Sequence, residues 1–289
     1  MTNSGRPGIS RVLVPLVRGQ TARPLLSVGD ALISRGAAGS GVVLGLVETG
    51  KLSSDAASTD LERVRDMLKW ISGSDYEHPG RPSMEVEVRF SSDAPATIRA
   101  AVVEYSCSAV VLGYPWLAAP GRQRLRSICE ALLNPAPADL LLVRPALAAP
   151  EAALAPRSIL VAVRGGPHER LMASVVRAFA HVARSKVTLV HVSRPSDHRD
   201  RRRHSLEDLQ KFADGLKGVD VSIKMEESPS PMTLVLELSS KHDMVLVGSH
   251  LDPEAPDRIL SPALRQLMSR CTATVILGYS AAAQDWQAT

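Results

Sequence analysis

The chain has 289 residues, with 34 Lys and Arg against 30 Asp and Glu, 45% hydrophobic residues and 3% aromatic ones. That length accommodates two domains of about 140 residues, each able to bury its own core. No apolar run approaches the roughly 20 residues that span a bilayer, residues 1–10 lack the apolar core of a signal peptide, and a formal net charge of +4 is too small to mark a nucleic-acid binder. A soluble, cytoplasmic protein without direct membrane insertion is expected.

The first element, Val12-Leu13-Val14-Pro15-Leu16, is a continuous apolar run with the character of a fully buried strand, and an amphipathic segment follows it. Val42 to Val47 is a second such strand. A helix comes next, with Leu61, Val64, Leu68 and Ile71 on one face and Thr59 and Glu62 as a capping box. Met84 to Phe90 alternates apolar and charged residues, as a strand with one wetter face does. Asp93 and Pro95 open a helix carrying Ile98, Val102 and Tyr105; strand Cys107–Gly113, a helix around Ser127 to Leu133, and a strand ending at Arg144 complete the unit.

The same order then repeats. Ile159-Leu160-Val161-Ala162-Val163 answers the opening strand, Met244 to Gly248 answers Ala109 to Gly113, and Thr274 to Leu277 answers Leu140 to Val143. Between them lie a helix with Met172, Val175, Phe179 and Val182, strand Val187–Val192, a helix with Leu206, Leu209, Phe212 and Leu216 for which Ser205 is the expected N-cap, strand Val219–Met225, and Ser228-Pro229 as a cap and first-turn proline. A helix near Leu260 to Met268 precedes the last strand. One offset shared by several elements points to duplication of a whole domain. The expected fold is α/β: two tandem five-stranded parallel sheets with helices on both faces. The expected boundaries are a flexible N-terminus 1–10, a first domain 11–144, an Ala/Pro linker 145–156, a second domain 157–278 and a tail 279–289. A dozen extended residues reach roughly 40 Å, enough for the two terminal strands to meet edge to edge about a pseudo-twofold axis, making an intramolecular pseudodimer.

The paired openings, Gly113 and Gly248 at the ends of the fourth strands, and the segments Ser127–Val143 and Ser261–Leu277 resemble the universal stress protein family in tandem form, from about Arg11 to Gly278. Thr21 to Leu26 and Gly165-Gly166-Pro167-His168 are most similar to the cytoplasmic tails of amino-acid permeases and cation antiporters. The resemblance implies adenine-nucleotide binding at the carboxyl ends of the central strands, where an open parallel sheet puts its crevice. It also implies an acidic residue after the first strand and a glycine-rich phosphate loop. The chain departs from both. The acidic position is Val17 or Arg18 in the first unit and Arg164 in the second; the loops read Tyr114-Pro115-Trp116-Leu117 and Ser249-His250-Leu251-Asp252; the late Gly-Ser has become Arg126-Ser127 and Leu260-Ser261. Pro115, Trp116 and Pro120 leave fewer amides for phosphate, and Asp252, Glu254 and Asp257 repel it.

Against those losses stand Arg122, Arg124 and Arg126 near a helix start, either an anion site or a solvated basic face, and Gly165-Gly166, either a small amide nest or a simple turn. With Gly113, Ser127, Gly248, Ser249, Ser261 and Arg164 they are the candidate cofactor-binding residues, and the ligands implied are AMP, ATP or a cyclic dinucleotide. Arg164 suits a shorter ligand such as AMP, whose phosphate it could meet in a charge-assisted pair. Arg199-Asp200-Arg201-Arg202-Arg203-His204 reads as a solvated loop, or else as a docking point for a partner. Cys107, Cys129 and Cys271 read as buried thiols, His168, His181, His191, His198, His204, His242 and His250 are too dispersed for a metal site, and Ser127 and Ser261 lack a nucleophile elbow. Trp70, Trp116 and Trp286 are too scattered for a stacking platform. The favoured expectation is a non-enzymatic regulatory module that binds a protein partner, a transporter or a cytosolic complex. An ATP- or AMP-binding stress protein with slow turnover, and a scaffold with closed pockets, are the alternatives.

Overall fold

The computed structural model describes residues 9–17, 22–34, 39–48, 84–114, 122–133, 135–149, 154–249 and 260–282, together with Glu62, Arg65, Asp66, Leu68 and Lys69. The first repeat comprises β1 (Arg11–Leu16), α1 (Ala22–Ser34), β2 (Ser40–Glu48), β3 (Glu85–Ser91), α2 (Ala94–Glu104), β4 (Ala109–Gly113), α3 (Arg122–Leu133) and β5 (Asp139–Arg144). The second comprises β6 (Ser158–Ala162), α4 (Glu169–Ala183), β7 (Lys186–Ser193), α5 (Arg199–Asp214), β8 (Asp220–Glu227), α6 (Pro231–Ser239), β9 (Met244–Gly248), α7 (Pro262–Arg270) and β10 (Thr274–Tyr279).

The apolar runs form strands because both of their faces are covered by helices, and the two expected sheets are one. Ten strands follow the order β3-β2-β1-β4-β5-β10-β9-β6-β7-β8. Every pairing within a repeat is parallel, and the seam between β5 and β10 is antiparallel. At that seam Leu142 lies opposite Leu277. These two are equivalent residues, since Asp139 pairs with Ala109 as Thr274 pairs with Met244. The pseudo-twofold axis therefore passes through the Leu142–Leu277 pair.

The hydrophobic core divides by sheet face rather than by repeat. One cluster joins α1, α4 and α5 through residues such as Leu25, Leu32, Val175, Phe179 and Leu209. The other joins α2, α3, α6 and α7 through Ile98, Leu132, Val235 and Leu267. Each cluster runs across the seam, so neither repeat closes its core alone. Matching hydrogen bonds reinforce the axis: the Ala146 amide donates to Thr274 Oγ1 at 3.2 Å, and its counterpart, the Ala281 amide, donates to Asp139 Oδ1 at 2.8 Å. The described ends of the Ala/Pro segment are also tied down, Leu147 N to Thr272 O and Leu154 N to Ser27 Oγ.

Several local expectations shift. Helix α5 starts at Arg199 with His198 as N-cap, so Ser205 lies inside it and the basic run is helical rather than a loop. Arginines are good helix formers, and the amide of Arg202 bonds to His198 O while its guanidinium pairs with Glu227 at 2.7 Å. Of its expected apolar face, Leu209, Phe212 and Leu216 are buried and Leu206 is exposed. Helix α6 begins after Ser230 with Pro231 in its first turn, two residues beyond the Ser228-Pro229 expected; Ser228 Oγ instead accepts from the Ser230 amide. Asp93 caps α2 as expected, accepting from Ala96 N at 3.0 Å.

Strand β3 lies at the outer edge of the sheet and is partly exposed on both faces, with Phe90 54% exposed. Its charges blunt the open edge: Arg11 pairs with Glu85, and Arg89 with Glu87 and Glu104. In the segment before it, Glu62, Arg65, Asp66, Leu68 and Lys69 are helical and exposed. The Thr59 cap, Leu61, Val64, Trp70, Ile71 and Trp286 lie outside the described residues, as does most of the expected flexible N-terminus. The three cysteines are free and buried, and burial pushes the thiols of Cys107 and Cys129 up to about 11 and about 12. They are inert packing residues.

Candidate functional site

Because the seam is antiparallel, the carboxyl ends of the central strands, where the crevices are expected, lie at opposite rims of the sheet. Val12 pairs with Ala109 as Ile159 pairs with Met244, which sets Val17 opposite Arg164 and settles the register after the first strands. The same alignment places Tyr114 opposite Ser249, Arg144 opposite Tyr279, and Pro145 opposite Ser280.

In the first repeat the β1–β4 ladder covers Val12 and Leu13 and stops ahead of Pro15, which has no N–H to give; the β6–β9 ladder runs on to Ala162. Val17, Gly113 and Tyr114 are half-buried at this rim. The Tyr114 amide is already taken by Val143 O at 2.8 Å. Helix α3 begins at Arg122, so Arg122 and Arg124 lie in its first turn while Arg126 and Ser127 lie deeper. Arg126 is exposed and pairs along the helix with Glu130 at 2.7 Å. The buried residues Cys129, Leu132 and Leu133 match Leu264, Leu267 and Met268, which sets Ser261 opposite Arg126, not Ser127. Pro115, Trp116 and Pro120 lie outside the described residues.

In the second repeat Ser261 is the N-cap of α7, its Oγ accepting from the Leu264 amide at 3.3 Å. The Ser249 amide is taken by Gly278 O at 2.8 Å. Gly165 and Gly166 adopt positive φ values of 81° and 113°, a backbone that glycine permits at little cost. Asp208 Oδ2 stands 3.4 Å from where a Cβ of Gly165 would be, so a carboxylate faces the loop that a phosphate would need. Arg164 is exposed. His250, Asp252, Glu254 and Asp257 lie outside the described residues.

The residue that the sequence reading passed over is His168. It is buried, 4% exposed, just ahead of α4. Its Nδ1 accepts from the Ser280 amide at 3.0 Å, and its ring centroid lies 5.7 Å from that of Tyr279. A Cβ on Gly248 would meet the His168 Cβ at 3.0 Å and its ring at 3.5 Å. The backbone glycine that would let a phosphate approach β9 instead lets an imidazole in. The position is held from across the seam, since Ser280 Oγ and the Ala281 amide both donate to Asp139 Oδ1, at 3.0 and 2.8 Å. Serine, histidine and aspartate thus meet here, but the serine hydroxyl faces the carboxylate and the imidazole faces an amide. That wiring is the reverse of what a nucleophile needs. Among the described residues no group of three His, Cys, Asp or Glu could hold a metal, and no helix is long and apolar enough to cross a membrane.

Glu169, next to His168, has its carboxyl pushed up by burial and by the neighbouring Asp208, with Lys211 opposing. An acid whose folded pKa lies above its unfolded one costs no stability while both states hold the proton. The cost develops as pH rises from the ordinary glutamate value near 4.3 through the raised one, and it persists at neutral pH. Glu169→Gln is therefore expected to melt above the parent at pH 7, with the gap closing below about pH 4; thermal melts across that range check it, and an unchanged gap would show that the carboxylate costs nothing.

No family model matches the chain, and no curated protein does. Solved structures do. A universal stress protein from Archaeoglobus fulgidus DSM 4304 is 16% identical over 93% of this chain and 96% of its own, with a TM-score of 0.63. The cytoplasmic domain of a prokaryotic cation chloride cotransporter is 13% identical over 94% of this chain and 96% of its own, at 0.61. A putative universal stress protein from Pseudomonas aeruginosa UCBPP-PA14 is 14% identical over 97% and 98%, at 0.57. Identities this low establish architecture alone, and on architecture they agree: this chain carries the universal stress protein fold in tandem, as two repeats joined in one sheet.

Proposed function

We propose that the chain is a non-catalytic regulatory module that acts by binding a protein partner in the cytoplasm, a transporter or a cytosolic complex, through two units whose nucleotide crevices have degenerated. The observation that carries this reading is the imidazole of His168 seated over Gly248, where a nucleotide would need to approach the backbone. The loss of the acidic anchor to Val17 and Arg164, and the carboxylate beside Gly165, act in the same direction. The likeness to a transporter's cytoplasmic domain supports a partner of that class. The domain boundaries 11–144 and 157–278 belong to the same proposal, as a division of sequence rather than of core.

An AMP or cyclic-dinucleotide site at Arg164 requires His168 to leave first, because Arg164 is exposed at the mouth while the interior is filled. Titration calorimetry with magnesium-ATP, AMP and cyclic di-AMP, joined to native mass spectrometry of the freshly purified protein, tests the reading. The expected outcome is no nucleotide carried through purification and no magnesium-dependent ATP binding. Micromolar ATP affinity would sink it in favour of a nucleotide-binding stress protein with slow turnover.

A further inference from the structure

Three features converge on one small volume at the carboxyl ends of β6 and β9. Gly248 supplies a floor without a side chain, so close to the imidazole that a methyl group there would meet His168 Cβ at 3.0 Å. Tyr279, fully buried, lines one side with its ring plane 38° from that of His168. The Ser280 amide points a donor into the volume, 3.0 Å from Nδ1, and Asp139 fixes that amide by holding the hydroxyl of Ser280 and the next amide, Ala281. A buried amide needs an acceptor, and here the acceptor is a ring nitrogen lone pair, which requires Nδ1 to be unprotonated and the hydrogen to reside on Nε2.

We propose that this volume is a binding site for a flat nitrogen heterocycle whose ring nitrogen accepts a hydrogen bond, and that the chain occupies it with its own His168 as an internal ligand. The proposal rests on the degenerate-crevice reading above and adds what the crevice now holds. A tethered ring competes at an effective concentration on the order of millimolar. Free heterocycles that bind more weakly than that leave the natural chain unaffected, and only a tighter ligand displaces the imidazole. The first repeat cannot build the same latch: Pro145, opposite Ser280, has no N–H, and Arg144 stands where Tyr279 does.

The test removes the tethered ring and supplies a free one. His168→Gly is expected to melt below the parent, and imidazole on the order of 10 mM is expected to raise its melting temperature while leaving the parent unchanged. Pyrrole has the same size but its nitrogen carries a proton and accepts nothing, so it is expected to restore little. Equal restoration by pyrrole, or none by imidazole, overturns the proposal. A measurement on the unmutated chain guards against a variant that fails to fold: nitrogen-15 spectra of labelled histidine are expected to show one residue held wholly as the Nε2–H tautomer. That signal must disappear in His168→Asn. A ring averaging between tautomers overturns the proposal as well. ATP binding by the parent bears only on the proposed function, and the difference between the parent and the glycine variant bears only on the internal ligand.

Discussion

Leu141→Pro is expected to abolish the cooperative thermal transition of the whole chain rather than of one half. Leu141 is fully buried in the middle of β5, opposite Val111 of β4 and Gly278 of β10. Every amide of an interior strand serves one neighbour or the other, so proline removes a ladder bond wherever it lands and is excluded from such strands. The buried carbonyl left without its donor costs about 1–3 kcal/mol before any steric strain, against a net stability of about 5–15 kcal/mol for a typical domain. Both hydrophobic clusters run through the seam, so the loss is not contained in the first repeat. Circular dichroism melts and small-angle scattering check this. A sharp, unshifted transition, or two bodies moving independently about residues 145–156, would show that the seam does not hold the molecule together.

Arg144→Ala is expected to cost about 2–4 kcal/mol in chemical denaturation. The side chain is fully buried, its Nη1 donating to Pro145 O at 2.7 Å and its Nη2 to Cys271 O at 2.8 Å. Cys271 is the C-cap of α7, where a cation meets the negative end of the helix. Among the described residues no carboxylate pairs with the guanidinium, and Nε has no partner. Burial lowers the arginine's pKa, yet a guanidinium stays protonated in proteins, so the charge is carried inside at a desolvation cost. Truncation orphans two carbonyls and opens a cavity while relieving that cost. Arg144→Met separates the contributions, because it refills most of the volume and still orphans the carbonyls. A methionine variant more stable than the parent would mean that desolvation outweighs both hydrogen bonds, as happens for some buried ion pairs.

Strand positions were readable in the sequence because runs such as Val12–Leu16 and Met244–Gly248 are apolar on both faces, and only a covered parallel sheet accommodates that pattern. The meeting of β5 and β10 was readable from linker reach. Helix starts were readable where a capping side chain marks them, as Asp93 does for α2, and not elsewhere. At Arg199 the charged residues carry no apolar period, so the eye begins the helix at Leu206, a turn and more too late. Ser127 looked like the partner of Ser261 because both follow a lost glycine, and only the buried positions of α3 and α7 show the one-residue difference. His168 was legible only as one dispersed histidine among several. Its one local signal was its place directly after Gly165-Gly166-Pro167 and ahead of a helix. Arg144 gave no signal, since an arginine ending a strand ordinarily reaches water.

The axis through Leu142 and Leu277 sets a rule of stoichiometry. Two separate chains meeting about a true twofold must present identical rims, so any partner that reads one rim is offered a second, equal place, and complexes tend to two partners per pair. Here the rims have drifted apart within a single polypeptide: the half-buried Val17 and Tyr114 lie at one, the exposed Arg164 at the other. A substitution alters one rim and spares the other. A partner that recognises either of them is counted once per molecule, and the two ends can be read by unlike partners at the same time.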